Sequence, residues 1–141
     1  MVPVPRDARG NAPSGATAGA TAPKPLGPYS PIVRAGDWLI CSGQVGMREG
    51  QLAAGVEAQV TQALANVETL LASQGAALTD VVKASVFLTD MDDFTAMNQA
   101  YLAAFGDHRP ARSAFAVAAL PMGADVEIEV WAHTNSGRSS S

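Results

Sequence analysis

The sequence predicts an α+β domain in which a mixed sheet carries two helices packed on one face. Two stretches repeat apolar residues at helical spacing, and five shorter runs read as strands. Their order is strand, strand, helix, strand, helix, strand, strand, which suits a single layer of helices on a single sheet. Length supplies the bound: 141 residues, 48% of them hydrophobic, can bury one sizeable core and leave little for a second.

In chain order, residues 1–24 mix Pro, Gly, Ala, Thr and Ser without periodicity and are expected to form a flexible low-complexity tail. They hold no hydrophobic signal core and no amphipathic helix pattern, so export is not indicated and a cytoplasmic protein is expected. The domain is expected over 25–134. Ile32 to Arg34 reads as a short strand, Gly36-Asp37 as a turn, and Trp38 to Ser42 as the next strand, with a hairpin from Val45 to Leu52. Val56, Val60, Ala63, Leu64, Val67, Leu70 and Leu71 recur at helical spacing, and Gly75 follows where a left-handed residue would close the helix. Val81 to Leu88 is a strand. Phe94, Met97, Tyr101, Leu102 and Phe105 mark the second helix, with Asp92 or Asp93 as cap and Gly106 as stop. Ala114 to Leu120 and Val126 to Ala132 complete the strands. Residues 135–141 are polar and Ser-rich and are expected to be a second flexible end.

The final strand has two unlike faces. Val126, Ile128, Val130 and Ala132 share one, and Glu127, Glu129, Trp131 and His133 share the other, because side chains alternate across a strand. Helices on the aliphatic face would leave Trp131, and the similarly placed Phe115, in water. A partner subunit would cover them, so the reading is an oligomer whose sheets pack together, with clefts between subunits as natural ligand sites.

Composition excludes several classes. Nine Lys and Arg against 13 Asp and Glu give a net charge of −4, without the basic, aromatic-interleaved patch of a nucleic-acid binder. No apolar run is long enough to span a bilayer. Cys41 is the only cysteine, which excludes an internal disulfide and fits a reducing compartment. With His108 and His133 far apart and no second cysteine, a His/Cys zinc site lacks ligands, so no metal and no cofactor are expected.

Against that acidic background stands Pro110-Ala111-Arg112-Ser113, a fixed cation at the mouth of an apolar run. A guanidinium offers a planar fork of donors that fits a carboxylate bidentately, so its place suggests recognition of a small acid. The segment taken alone also suits a solvated arginine at a loop end.

Seven motifs then appear in order: Gly27-Pro28-Tyr29-Ser30, Ser42-Gly43-Gln44, Gln62-Ala63-Leu64 with Asn66, Asp80-Val81-Val82-Lys83, Asp93-Phe94 with Asn98 and Tyr101, Pro110-Ala111-Arg112-Ser113, and Val126-Glu127-Ile128-Glu129. Together they resemble the RidA/YjgF family of reactive-imine deaminases, from Lys24 to His133. The resemblance implies a chorismate-mutase-like α+β fold assembled as a homotrimer with active sites between subunits. It implies hydrolysis of 2-imino acids or their enamine tautomers (2-aminoacrylate, 2-iminopropanoate, 2-iminobutanoate) to 2-keto acids and ammonia, a metabolite-repair reaction. Arg112 matches the family arginine that clamps the substrate carboxylate, and Glu127 the glutamate that holds and activates water. Tyr29, Ser42 and Asn98 match polar positions of the cleft, Tyr29 reaching in from a neighbouring subunit.

Each residue also has a structural reading. Ser42 suits a strand end and Asn98 an exposed helix position. Alternation does not choose between Glu127 and Glu129; only the family match selects Glu127. Cys41 faces away from Ser42 and reads as a buried small hydrophobe, with no histidine placed to activate it. Ala114 stands where many family members have a cysteine, so any role of that thiol is absent here. The alternative function is a non-catalytic trimeric module of the same family that binds small carboxylates or partner proteins, and the acidic balance disfavours RNA cleavage.

Overall fold

The computed structural model describes residues 24–134. Nearly all of both expected tails, 1–24 and 135–141, therefore lies outside the described residues. Two features of the chain set the topology. Gly36 adopts a positive φ of 62° in the tight turn that folds β1 (Ile32–Ala35) back on β2 (Trp38–Val45). The connection from β5 (Val81–Leu88) to β6 (Ala111–Ala116) runs through the helix α2 (Phe94–Phe105), as a parallel pair requires a long crossover. With α1 (Val56–Ala72) and β7 (Val126–His133), the strands form a five-stranded mixed sheet in the order β1-β2-β7-β5-β6. The small hairpin β3 (Met47–Arg48) and β4 (Gln51–Leu52) turns through Glu49 and Gly50, both at positive φ, as a two-residue hairpin loop demands.

The helices cover one face, as expected. Val60, Leu64, Val67 and Leu71 of α1 and Met97, Tyr101 and Phe105 of α2 are buried with Leu39, Val86, Leu88, Ile128 and Val130 from the sheet. Removing each such large side chain from water contributes about 1.5–3 kcal/mol, which holds the two layers together. Leu102, placed in the apolar stripe by the sequence, is exposed instead. It lies one residue, about 100°, around the helix from buried Tyr101. The opposite sheet face stays open, with Trp38, Trp131 and Phe115 exposed.

Several boundaries differ from expectation. β6 begins at Ala111 and ends at Ala116 rather than spanning Ala114 to Leu120, because its register follows β5 from Lys83↔Ala111 to Leu88↔Ala116, where the partner strand runs out. Arg112 therefore lies within a strand, and Leu120 packs in a loop against Val45, Met47 and Ala124. Helix α1 ends in a Schellman closure, with Ala76 N donating to Leu71 O at 2.9 Å and Gly75 N to Ala72 O at 3.1 Å, while Gly75 takes a φ of 77°. Neither Asp92 nor Asp93 caps α2 with its side chain; Asp90 accepts from Asp92 N at 2.8 Å and so caps the short turn Met91–Asp93 that leads into the helix.

Two buried amides fix the site end of the sheet. Asn66 Nδ2 donates to Val45 O at 3.2 Å and Met47 O at 3.0 Å, while Gln59 donates to Asp125 Oδ2 at 3.0 Å and accepts from Asp125 N at 2.8 Å. Helix α1 thereby holds both the end of β2 and the entry to β7. Among the described residues no helix is long and apolar enough to cross a membrane, and no group of three or more His, Cys, Asp or Glu is placed to hold a metal.

Candidate active site

Glu127 lies on the open face of β7, opposite Phe87 of β5 and Val45 of β2. The β2–β7 register breaks between Cys41 and Gln44, so Ser42 and Gly43 sit in an irregular stretch beside it. At Gly43 a Cβ would stand 2.5 Å from Glu127 Oε2, so this glycine is the space in which the carboxylate lies. The side chain is half-buried; burial, and secondarily the neighbouring Glu129, push its carboxyl pKa above the usual range. Ser42 Oγ donates to Ser30 O at 2.7 Å, and Ser42 N donates to Pro31 O at 2.9 Å. These bonds tie the Tyr29–Pro31 segment to the irregular strand. Tyr29 itself is 45% exposed, with its hydroxyl accepting from Leu26 N at 3.1 Å, so its ring is presented outward.

Arg112 belongs to a different environment. Its partner in the β5 register is buried Ala84, which places it on the helix-covered face, beneath α2. Its Cζ stands 4.8 Å from the centroid of the Tyr101 ring and 5.6 Å from that of Phe94, and Nη1 lies 3.9 Å from Met97 Sδ. Among the described residues no carboxylate pairs with the guanidinium, whose hydrogen bond there is the long, weak one that Nη1 donates to Met97 Sδ. Phe94, Asn98 and Tyr101 follow at helical i, i+4, i+7 spacing, which sets Asn98 on the helix surface between the two rings that flank Arg112. The Tyr101 hydroxyl is the one buried side-chain polar atom without a hydrogen-bond partner among the described residues, a loss of about 1–3 kcal/mol for such a group.

The sheet lies between Arg112 and Glu127. Ser42 stands beside the Gly43 gap that holds the Glu127 carboxylate, and is bonded to the backbone of Ser30 and Pro31 next to Tyr29, whose own ring lies by Leu26 and Gly27. Asn98 shares the α2 stripe of Phe94 and Tyr101 by helical spacing. Cys41 points into the core, 2% exposed, as its alternation with Ser42 required. Three residues that shape these places were not singled out as site residues in the sequence: Gly43, Phe94 and Tyr101. The strand expected to end at Ser42 continues to Val45, so Gly43 lies inside it, where a glycine marks a close approach. The two rings look like ordinary core, and only the register of β6 brings the arginine to them.

A five-stranded mixed sheet with two helices on one face defines a two-layer α+β domain, with Arg112 under the second helix and half-buried Glu127 on the open face. The family model described as Endoribonuclease L-PSP matches residues 19–134, and the chain belongs to this family, the RidA/YjgF family. It is 41% identical over 115 residues to a RutC family protein of Pyrococcus horikoshii, covering 79% of this chain and 91% of that protein. It is 46% identical over 113 residues to the 2-iminobutanoate/2-iminopropanoate deaminase of Capra hircus, covering 78% of this chain and 82% of that protein. Among solved structures, E. coli TdcF with bound serine is similar with a TM-score of 0.76 and 35% identity, covering 79% of this chain and 92% of that chain.

Proposed function

We propose that the protein is a hydrolytic deaminase of reactive 2-imino acids and their enamine tautomers, acting as a homotrimer whose sites are completed between subunits. The observation that carries this reading is the guanidinium of Arg112, which lies over the Tyr101 ring with no carboxylate partner among the described residues. The deaminase name of a 46% identical relative supports the reaction, and the serine bound to TdcF supports an amino-acid-like ligand for this fold. Exposed Trp131 and Phe115 support a partner subunit on the open face.

In this reading Arg112 binds the substrate carboxylate, and a water held by Glu127 adds to C2 of the protonated C=N bond. Glu127 takes a proton from that water as the C–O bond forms, giving a carbinolamine. It then delivers the proton to nitrogen, the C–N bond breaks with release of ammonia, and the hydroxyl loses its proton as the keto group forms. Burial, and secondarily Glu129, raise the carboxyl pKa, which makes the carboxylate a stronger proton acceptor than an exposed one. Tyr29, Ser42 and Asn98 line the cleft and orient the substrate. The carboxylates Glu127 and Glu129 on the open face, together with the net charge of −4, oppose a polyphosphate chain, so cleavage of RNA is not proposed.

The test is to generate 2-aminoacrylate or 2-iminobutanoate with a dehydratase and follow keto-acid formation with the purified protein. Acceleration over buffer is expected, nearly abolished in Arg112→Ala and strongly reduced in Arg112→Lys, which keeps the charge but loses the fork. No acceleration, with 2-oxobutanoate still bound, would identify a carboxylate-binding module instead.

A further inference from the structure

Arg112 has no anionic partner, yet its side chain is not left to wander. Opposite it in the β5 register, Ala84 is small and fully buried, so the arginine stem can lie flat against the sheet beneath α2. Above it, Tyr101 and Phe94 stand two helical turns apart and both face the guanidinium, at 4.8 Å and 5.6 Å from Cζ. The Tyr101 ring is itself fixed: it is 4% exposed and packs at 4.7 Å from the Phe105 ring. A guanidinium carbon held over a ring face leaves the N–H donors that point away from the ring open to a planar acceptor, while Nη1 makes only a weak bond to Met97 Sδ.

We propose that Tyr101 is a positioning residue for Arg112: its ring, assisted by that of Phe94, fixes the plane in which the guanidinium offers its donor fork to the ligand carboxylate. The proposal rests on the carboxylate-clamp reading of Arg112. It assigns the effect to the ring and not to the hydroxyl, which is buried without a partner and has no accessible surface with which to meet a ligand. Burial raises the phenol pKa while the Arg112 charge opposes that rise, in keeping with their proximity.

The experiment compares Tyr101→Phe, Tyr101→Leu and Phe94→Leu, each alone and combined with Arg112→Ala. The readouts are steady-state kinetics on dehydratase-generated 2-iminobutanoate and calorimetric binding of 2-oxobutanoate. Tyr101→Phe is expected to keep KM within about threefold of wild type, because the platform is intact. Tyr101→Leu should raise KM, and weaken 2-oxobutanoate binding, by about tenfold with a smaller change in kcat. In the Arg112→Ala background, where the residual rate is read as kcat/KM at high protein concentration, the same substitution should cost less than about twofold, since a residue acting through Arg112 has nothing left to act on. Independent, multiplying effects of the two substitutions, or an unchanged KM in Tyr101→Leu, overturn the proposal. Should Tyr101→Leu not fold, half-buried Phe94→Leu carries the test, with an expected KM rise of about threefold that also vanishes without Arg112. If Arg112→Ala itself binds 2-oxobutanoate as wild type does, the clamp reading fails and this inference with it. If Arg112→Ala loses binding while the ring variants keep it, only this inference fails.

Discussion

Arg112 and Glu127 leave the same sheet on opposite faces. Arg112 is paired with buried Ala84 of β5, Glu127 with Phe87, and residues 84 and 87 differ by an odd number along one strand. Within one protomer the two side chains are therefore separated by the sheet. On the proposed reading, a site that uses both draws them from two copies. Co-refolding Arg112→Ala with Glu127→Gln in equal amounts should then restore activity at about one quarter of the sites, those combining an intact arginine from one copy with an intact glutamate from its neighbour. Keto-acid formation by the mixture, set against each inactive parent, measures this; a mixture as inactive as its parents would place both residues in one copy's site.

Gly43 and Gly46 are three residues apart and should respond differently to alanine. At Gly43 the added Cβ meets the end of the Glu127 side chain at 2.5 Å, which can swing aside. The fold should survive with little change in melting temperature, while kcat falls about 10- to 100-fold as the carboxylate is displaced. At Gly46 the new Cβ meets the backbone of Gln59, 2.6 Å from its Cα, which α1 holds in place. Here the loss is of stability, about 1–3 kcal/mol or more, read as a lower denaturation midpoint.

Glu127 carries a pH signature. Its folded pKa is raised, first by burial and then by Glu129, so the unfolded chain ionises before the folded one. Stability is then lost as pH rises from the unfolded value, about 4.3, through the folded value, and stays reduced above it. Glu127→Gln removes this slope. The variant should melt above wild type at neutral pH, with the difference closing below about pH 4. Thermal melts across that range decide the sign.

Cys41 should be chemically silent. The thiol is 2% exposed and burial pushes its pKa up to about 12, so the reactive thiolate is scarce and enclosed. Native protein should resist an aromatic disulfide reagent and react with one equivalent on unfolding in denaturant. Rapid native reaction would show that the core beneath β2 opens.

The local periods carried much of the fold. The α1 stripe from Val56 to Leu71, the span Val81–Leu88 and the two faces of β7 were all legible, because 3.6-residue and two-residue repeats are properties of the backbone itself. Burial of Cys41 followed from one step of alternation against Ser42. The limits of β6 were not legible, since the apolar run Ala114 to Leu120 continues past the point where β5 ends and partners cease. The face of Arg112 was half-legible: Phe115, three positions on, was read as outward, and odd spacing puts the arginine on the other side.

Sequence by itself determined the class of the domain, most of its elements and the family motifs, because each depends on residue type and local repeat. Only the tertiary structure decided that β6 runs parallel beside β5, that α2 comes down over Arg112 with Phe94 and Tyr101, and that Gly43 opens a place for Glu127. Those facts depend on which strands pair and in what register. Pairing is fixed by contacts between residues distant in the chain, where a slip of one position exchanges the faces of every side chain.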